Sequence, residues 1–235
     1  MTHGTTDEKW TLSDLVALSA LQVLARGYVP WTAWSMRPAA IASVVNEIER
    51  GRRREVVELG AGASTVFLGH TVRDLGGRLV SVEHDAAHAD AVRRVVVREG
   101  LDDVVTVEVV PLVPWQPPAP ALGVGDGEEG ADWFPANTWY DAERLCAACP
   151  AEIDALVVDG PPAGMHPRTL VREPALDVLR PRLAPDWSLF LDDADRPAER
   201  EILRRWSARL GVELSLVERI GLGAGRSGGG FVPTL

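Results

Sequence analysis

Lysine is almost absent from these 235 residues: Lys9 is the only one, and arginine supplies the rest of the 24 basic side chains. A catalytic lysine in the body of the chain is thereby excluded. Cysteine is nearly as scarce. Cys146 and Cys149 form a lone C-x-x-C, short of the second pair that a zinc ribbon needs. A redox pair would sit at a strand-to-helix junction, whereas Arg144–Pro150 reads as a helix ending at proline, so both thiols are expected to be structural. Long apolar runs are missing as well. The longest, Ala155–Val158 and Ser188–Leu191, are strand-sized and too short to span a bilayer. No basic flank followed by an apolar stretch opens the chain, so a cytoplasmic location without a signal peptide is expected. Positive charge falls short overall, with 34 acidic residues and a net charge of −10. That balance opposes approach to phosphate backbones and argues against a nucleic-acid partner. The exception, Arg52-Arg53-Arg54, directly precedes an apolar strand and reads as a solvated strand entry.

What is present is an alternation of short apolar strands and helical stretches, the pattern of a parallel sheet covered by helices. Strands are expected at 55–59, 79–82, 104–110, 155–158, 188–191 and 213–218. A Gly-rich connection over Gly221–Gly230 leads to a last strand beginning at Phe231-Val232. Two helices precede the first strand and form an N-terminal cap over residues 1–50. The first, capped by Thr11 or Ser13, carries Leu15, Leu18, Leu21 and Leu24 and ends at Gly27. The second runs from about Arg37 to Arg50 with Pro38 in its first turn. Between them, Tyr28–Ser35 is rich in aromatics. Residues 111–135 are loaded with proline, glycine and acidic side chains and read as a flexible loop placed to serve as a lid. The whole, 1–235, reads as one domain.

The densest signal is Val56-Val57-Glu58-Leu59-Gly60-Ala61-Gly62-Ala63-Ser64-Thr65: a strand ending in an acid, glycines two apart, then a helix. Glycines allow a sharp turn and close backbone approach to a ligand, and the helix N-terminus offers free N–H groups. A dinucleotide fingerprint would place a third glycine where Thr65 stands, and the Glu58 carboxylate would repel a pyrophosphate but suits a cationic ligand. Glu83 ends the second strand, where a carboxylate can accept hydrogen bonds from both ribose hydroxyls of a nucleoside.

The run E-L-G-A-G-A-S-T followed by Val80-Ser81-Val82-Glu83-His84-Asp85 resembles the first two motifs of class I S-adenosylmethionine-dependent methyltransferases, over about residues 30–220. The resemblance implies a Rossmann-like α/β fold, a mostly parallel central sheet with helices on both faces. It also implies an S-adenosylmethionine site made of Glu58, Gly60, Ala61, Gly62, Ser64, Thr65, Glu83 and His84, with Glu58 near the ammonium group and Glu83 on the ribose. The acid that many relatives place near the adenine is missing at Val110-Pro111-Leu112, so adenine contacts are unassigned.

Asp159-Gly160-Pro161-Pro162 and Asp192-Asp193-Ala194-Asp195 follow the later strands, whose ends converge on the same crevice. Three carboxylates brought together repel unless a cation sits among them, and Mg²⁺ with oxygen ligands is the natural candidate. This pattern resembles metal-dependent small-molecule O-methyltransferases of the catechol, caffeoyl-CoA and macrocin types. In those, positions matching Asp159, Asp192 and Asp193 hold a metal that activates the acceptor hydroxyl. Two departures stand out, since Pro161 and Pro162 replace the lysine or second acid of those families. His166 is the best substitute base beside Asp159, and Arg168 could bind an acidic substrate. Asp192 and Asp193 have a second reading as caps of the following helix. Trp31, Trp34, Trp139 and Tyr140 could fold over the acceptor or pack in the core.

The expected activity is methyl transfer to the hydroxyl of a small molecule, without membrane or nucleic acid, with a homodimer through the cap left open. Its rivals are a metal-independent N- or carboxyl-methyltransferase and a non-catalytic nucleoside-binding protein.

Overall fold

The computed structural model describes residues 10–116, 134–162, 167–229 and 231. Seven strands form the central sheet: β1 Glu55–Leu59, β2 Arg78–Glu83, β3 Val105–Val109, β4 Ile153–Val158, β5 Leu183–Leu191, β6 Ser215–Val217 and β7 Leu222–Arg226. Their order across the sheet is β6-β7-β5-β4-β1-β2-β3, with β7 antiparallel to both neighbours and the other pairs parallel. The chain starts at β1 in the middle, works outward to β3, then returns to β4 on the other side of β1. The strand order therefore reverses between β1 and β4, and a crevice opens where their carboxyl ends part.

Alternate residues of each strand feed opposite faces, because the side-chain period of a strand is two. Val56, Leu79, Val105, Ala155 and Val157 pack beneath the helices α1 Leu12–Leu21, α2 Pro38–Gly51, α3 Ala63–Asp74 and α4 Ala86–Glu99. Val57, Leu59, Val80, Val82, Leu156 and Val158 pack against α5 Ala142–Ala148, α6 Pro174–Leu179 and α7 Pro197–Leu210. The expected α/β sheet with helices on both faces is the observed one. No helix among the described residues is long and apolar enough to cross a membrane.

Several sequence expectations change in detail. The first helix ends at Leu21, not Gly27. Beyond it, the Arg26 N–H is taken by the Glu99 carboxylate at 2.5 Å, and the chain leaves the helix axis to reach it. The buried face of α1 is Asp14, Ala17 and Leu21, while Leu15 is exposed and Leu18 and Leu24 are half-buried. A strict three-residue spacing drifts around a helix of 3.6 residues per turn, so four such leucines cannot share one face. Thr11 is the cap, its N–H and hydroxyl both given to Asp14 Oδ2. Arg53 is buried rather than solvated, bonded to Ser188 Oγ and to the main-chain and side-chain oxygens of Asp186. The stretch read as a Gly-rich connection contains β7 itself. A Cβ on Gly223 would lie 2.5 Å from Leu203, and one on Gly225 would lie 2.3 Å from Leu214, so bareness lets neighbours close onto the strand. Phe231 packs edge-on against Phe190 instead of opening a strand, and Val232 lies outside the described residues. Of the expected loop, Leu112–Pro114 pairs with Thr138–Tyr140 and Phe134-Pro135 with Thr169-Leu170. Residues 117–133, to which the lid reading refers, are outside the described part.

One buried network sets the turn that follows β1. Glu58, fully buried, stands opposite Ser81 in the register of β1 and β2. Its Oε2 accepts the hydroxyls of Ser81 and Thr65, each at 2.6 Å, and Thr65 Oγ1 in turn accepts the Gly62 N–H at 2.9 Å. The acid, the threonine and the second glycine of the motif are thus one device that fixes the turn into α3. Burial pushes the Glu58 carboxyl up to about 7, against the pull of the Ser64, Ser81 and Thr65 hydroxyls. A carboxyl raised in the folded state leaves stability intact below its ordinary value of 4.5 and withdraws it as pH climbs through about 7. At about 1.4 kcal/mol per pH unit, the withdrawal is on the order of 3 kcal/mol. Glu58→Gln removes that titration. In urea unfolding, the variant is expected to gain on the native chain by up to ~3 kcal/mol between pH 5 and pH 8. A difference between the two that does not change with pH would rule out Glu58 as the titrating group.

Candidate active site

The crevice between β1 and β4 is held open by two glycines in backbone contact. Gly60 has φ +96°, a conformation that disfavours other residues, and a Cβ there would lie 2.8 Å from the Gly160 nitrogen. A Cβ on Gly160 would meet Tyr140 Oη at 2.7 Å and Gly60 Cα at 2.9 Å. Gly62 is different, since a Cβ on it would meet nothing within 4 Å. Above these residues lies a cavity of about 850 Å³, within the ~300–1,000 Å³ of small-molecule and cofactor sites.

At one end of the cavity stand Gly60, Ala61, Gly62 and Ser64 with Glu83 and His84. Glu83 Oε1 accepts the main-chain N–H groups of His84 and Asp85 at 2.7 and 2.8 Å. Among the described residues, its Oε2 has no partner. His84 Nδ1 lies 2.7 Å from Oε1. His88, which the sequence reading did not single out, reaches from the first turn of α4 to within 2.9 Å of the Ala61 carbonyl and pins the glycine turn from above. Glu58 and Thr65 are not in the cavity wall; they stand behind it as the anchor of the turn.

In the same cavity wall, Asp159, Asp192 and Asp193 come together, with ligand oxygens all within 4.8 Å of one another. Neither Asp192 nor Asp193 caps a helix, because α7 begins at Pro197 after Arg196. Asp193 turns the chain back with φ +56°. Burial raises the Asp159 carboxyl to about 6, with Arg172 pulling it down and Asp193 pushing it up. Burial, then Asp159 and Asp193, hold Asp192 well above the usual carboxylate range.

A second residue that the sequence does not announce is Arg172. Its guanidinium is buried in the middle of this cluster. Nη2 lies 3.3 Å from Asp159 Oδ1 and 3.2 Å from Asp193 Oδ2, Nη1 donates to the Asp192 carbonyl at 2.9 Å, and Nε to the Pro161 carbonyl at 3.4 Å. Arg196 approaches Asp193 Oδ2 from outside at 2.9 Å. No local pattern in Val171-Arg172-Glu173-Pro174 announces this, because every partner is eleven or more residues away.

His166 lies outside the described residues, and Arg168 is exposed and not part of the cavity wall. Trp139 is buried in the core, with Tyr140 in T-shaped contact beside it. Tyr140 also reaches the cavity, and its buried Oη has no hydrogen-bond partner among the described residues. Trp31 packs on Trp10 and Phe67, whereas Trp34 is 80% exposed at the cavity's edge. Cys149 caps the end of α5, buried, with its thiol pushed up to about 12.

Comparison with known proteins agrees with this architecture. Over 90% of the chain superposes on an O-methyltransferase from Bacillus cereus in complex with SAH, and on SAH-bound PaMTH1, a methyltransferase of Podospora anserina. The first has 15% identity and a TM-score of 0.53, covering 93% of this chain and 92% of that one. The second has 13% identity and a TM-score of 0.55, covering 92% and 87%. A methyltransferase from Geobacter sulfurreducens matches at 16% identity and a TM-score of 0.52, covering 89% and 88%. No curated protein matches the chain in sequence. A family model described as a methyltransferase domain matches residues 57–194, more than half of the chain and every residue from the glycine turn to the acidic cluster. This chain belongs to the methyltransferase domain family and has its class I, Rossmann-like fold.

Proposed function

We propose that the protein transfers a methyl group from S-adenosylmethionine to a hydroxyl of a small molecule. One observation carries the reading: a single cavity joins the glycine turn and the free Glu83 oxygen to Asp159. The fold's likeness to an O-methyltransferase in complex with SAH supports it.

The residues present fit the cofactor. Gly62 leaves open space, Glu83 Oε2 is available to ribose hydroxyls, and the unpartnered Tyr140 hydroxyl awaits an acceptor. Burial beside Glu83 and Asp159 keeps Tyr140 protonated, so it serves as a donor. Bound there, the cofactor supplies a methyl group made electrophilic by its sulfonium. The protein contributes proximity, by holding the acceptor oxygen in line with that methyl. As the O–CH₃ bond forms and the C–S bond breaks, the hydroxyl proton passes to the Asp159 carboxylate and from there to solvent. A carboxyl at about 6 suits this work, being a stronger base than an ordinary aspartate yet still ionised at neutral pH.

The Mg²⁺ implied by the metal-dependent relatives does not fit the cluster as built. Arg172 stands against two of the three carboxylates, and Arg196 against one of them. Two guanidinium groups thus occupy the positions from which a cation would offset these carboxylates. No step is assigned to a metal.

Two measurements test the reading. Calorimetric titration with S-adenosylhomocysteine should show one site per chain, weakened about tenfold to a hundredfold in Glu83→Gln, the loss expected for a charged hydrogen-bond acceptor. No binding to the native protein would overturn the cofactor assignment. Once an acceptor is found, kcat/KM should rise with pH through about 6 and level off above it. Asp159→Asn should lose roughly 10²–10⁴-fold. A variant within a few-fold of native would remove Asp159 as the proton acceptor.

A further inference from the structure

We infer that Arg172 is the permanent cation of the active centre, a positioning residue that holds Asp159 and Asp193 where related enzymes use a divalent ion, and that removing it uncovers a metal site. The inference rests on the methyltransferase reading for its catalytic meaning, but its metal-binding test stands apart from that reading.

Four contacts fix the guanidinium. Two go to main-chain carbonyls, Pro161 after β4 and Asp192 after β5, and two to the carboxylates of Asp159 and Asp193. Arg172 is 3% exposed, so it is not a surface arginine resting against acids. A buried charge in this state is bound to its partners, because leaving it unpaired is costly. The main-chain bonds matter most, since they hold the guanidinium plane whatever the carboxylates do. One side chain thereby ties together the exits of the two strands that bring the acids to the crevice.

A divalent ion would bond carboxylate oxygens of the same three residues, with hard-cation distances near 2.0–2.6 Å. A guanidinium nitrogen already bridges Asp159 Oδ1 and Asp193 Oδ2. An ion between those oxygens would press a doubly charged cation against a buried single charge that cannot swing away or lose its proton. Take the guanidinium out, and three oxygen donors within 4.8 Å remain with Arg196 alone to balance them. That set is what a hard divalent ion takes.

Mn²⁺ is the probe, added to the full-length protein and followed by calorimetry and electron paramagnetic resonance. The native protein should bind no stoichiometric Mn²⁺ at submillimolar concentration, and chelator should leave its activity unchanged. Arg172→Met, similar in length and neutral, should gain one Mn²⁺ per chain with affinity raised at least tenfold, and lose it again when Asp192→Asn is added. Its kcat should fall by a larger factor than its KM for the cofactor rises, with partial recovery on adding Mg²⁺. Arg172→Lys keeps the charge and should remain metal-silent while retaining more activity than the methionine variant. One Mn²⁺ bound by the native protein and lost in Asp192→Asn would overturn the inference, and would do so even if Arg172→Met failed to fold. A folded Arg172→Met that gains no Mn²⁺ would overturn it too. Titration of the same preparations with S-adenosylhomocysteine separates the two readings, because failure there sinks the cofactor assignment and leaves the Mn²⁺ result standing.

Discussion

The contact between Gly60 and Gly160 is the constraint from which the rest of the site follows. Parallel strands β1 and β4 are hydrogen-bonded neighbours along their length, yet their continuations must part to admit a ligand. They part only after the two backbones have crossed at distances that no Cβ permits. Because Gly60 turns in the left-handed region, the chain reaches α3 within three residues, with Gly62 leaving open space. Because Gly160 is equally bare, the Tyr140 hydroxyl can approach, and Asp159 is delivered to the crevice rather than buried in the sheet. The glycine turn and Asp159 both take their positions from this single contact.

Charge is the second constraint. Glu58 behind the crevice and Glu83, Asp159, Asp192 and Asp193 in its wall bring five carboxyls together, with Glu58, Glu83 and Asp192 buried, in a protein with a net charge of −10. Each is compensated in a different way. Glu58 is bonded by hydroxyls and titrates high; Glu83 takes two main-chain N–H groups. Asp159 and Asp193 share Arg172, Asp193 also takes Arg196, and Asp192 offers Arg172 only its main-chain carbonyl. The scarcity of lysine makes arginine the available answer, and arginine is the better one here. Its planar fork satisfies carbonyls and carboxylates at once, where an ammonium would act as a point charge.

How much of this was legible in the sequence depended on distance along the chain. Glu58, Gly60, Gly62 and Thr65 act on one another within seven residues, so their spacing carries the structural message directly. Glu83 and Asp159 were legible because a short apolar run ending in an acid marks a strand end wherever it occurs. Arg172 carries no such mark: its partners come from two strand exits that only the folded sheet brings to it. Strand β7 was hidden for the opposite reason. Gly221–Gly230 has the composition of a turn, and only the side chains of Leu203 and Leu214, closing from α7 and the segment after it, explain why a strand paired on both sides is so bare. In the N-terminal cap, the leucine spacing suggested one apolar face, but the helical period scatters those positions and turns Leu15 outward.

The cavity is divided between parts of the chain with different standing in the family. The glycine turn, Glu83, His84, Asp159, Arg172 and Asp193 all fall within residues 57–194, the part that matches the family model. The opposite wall comes from Val29–Arg37 and from Ile220-Gly221, outside that match. The first of these segments is not held by the sheet. It is tied to α4 by the Glu99 carboxylate on the Arg26 N–H and by Arg98 on the Tyr28 carbonyl, and to α1 by the ion pair of Arg37 with Asp14. The same segment is also packed into the core through Val29, Met36 and Trp31, the last on Phe67. Trp34 stands exposed at the cavity's edge, in the part of the wall that lies outside the family match.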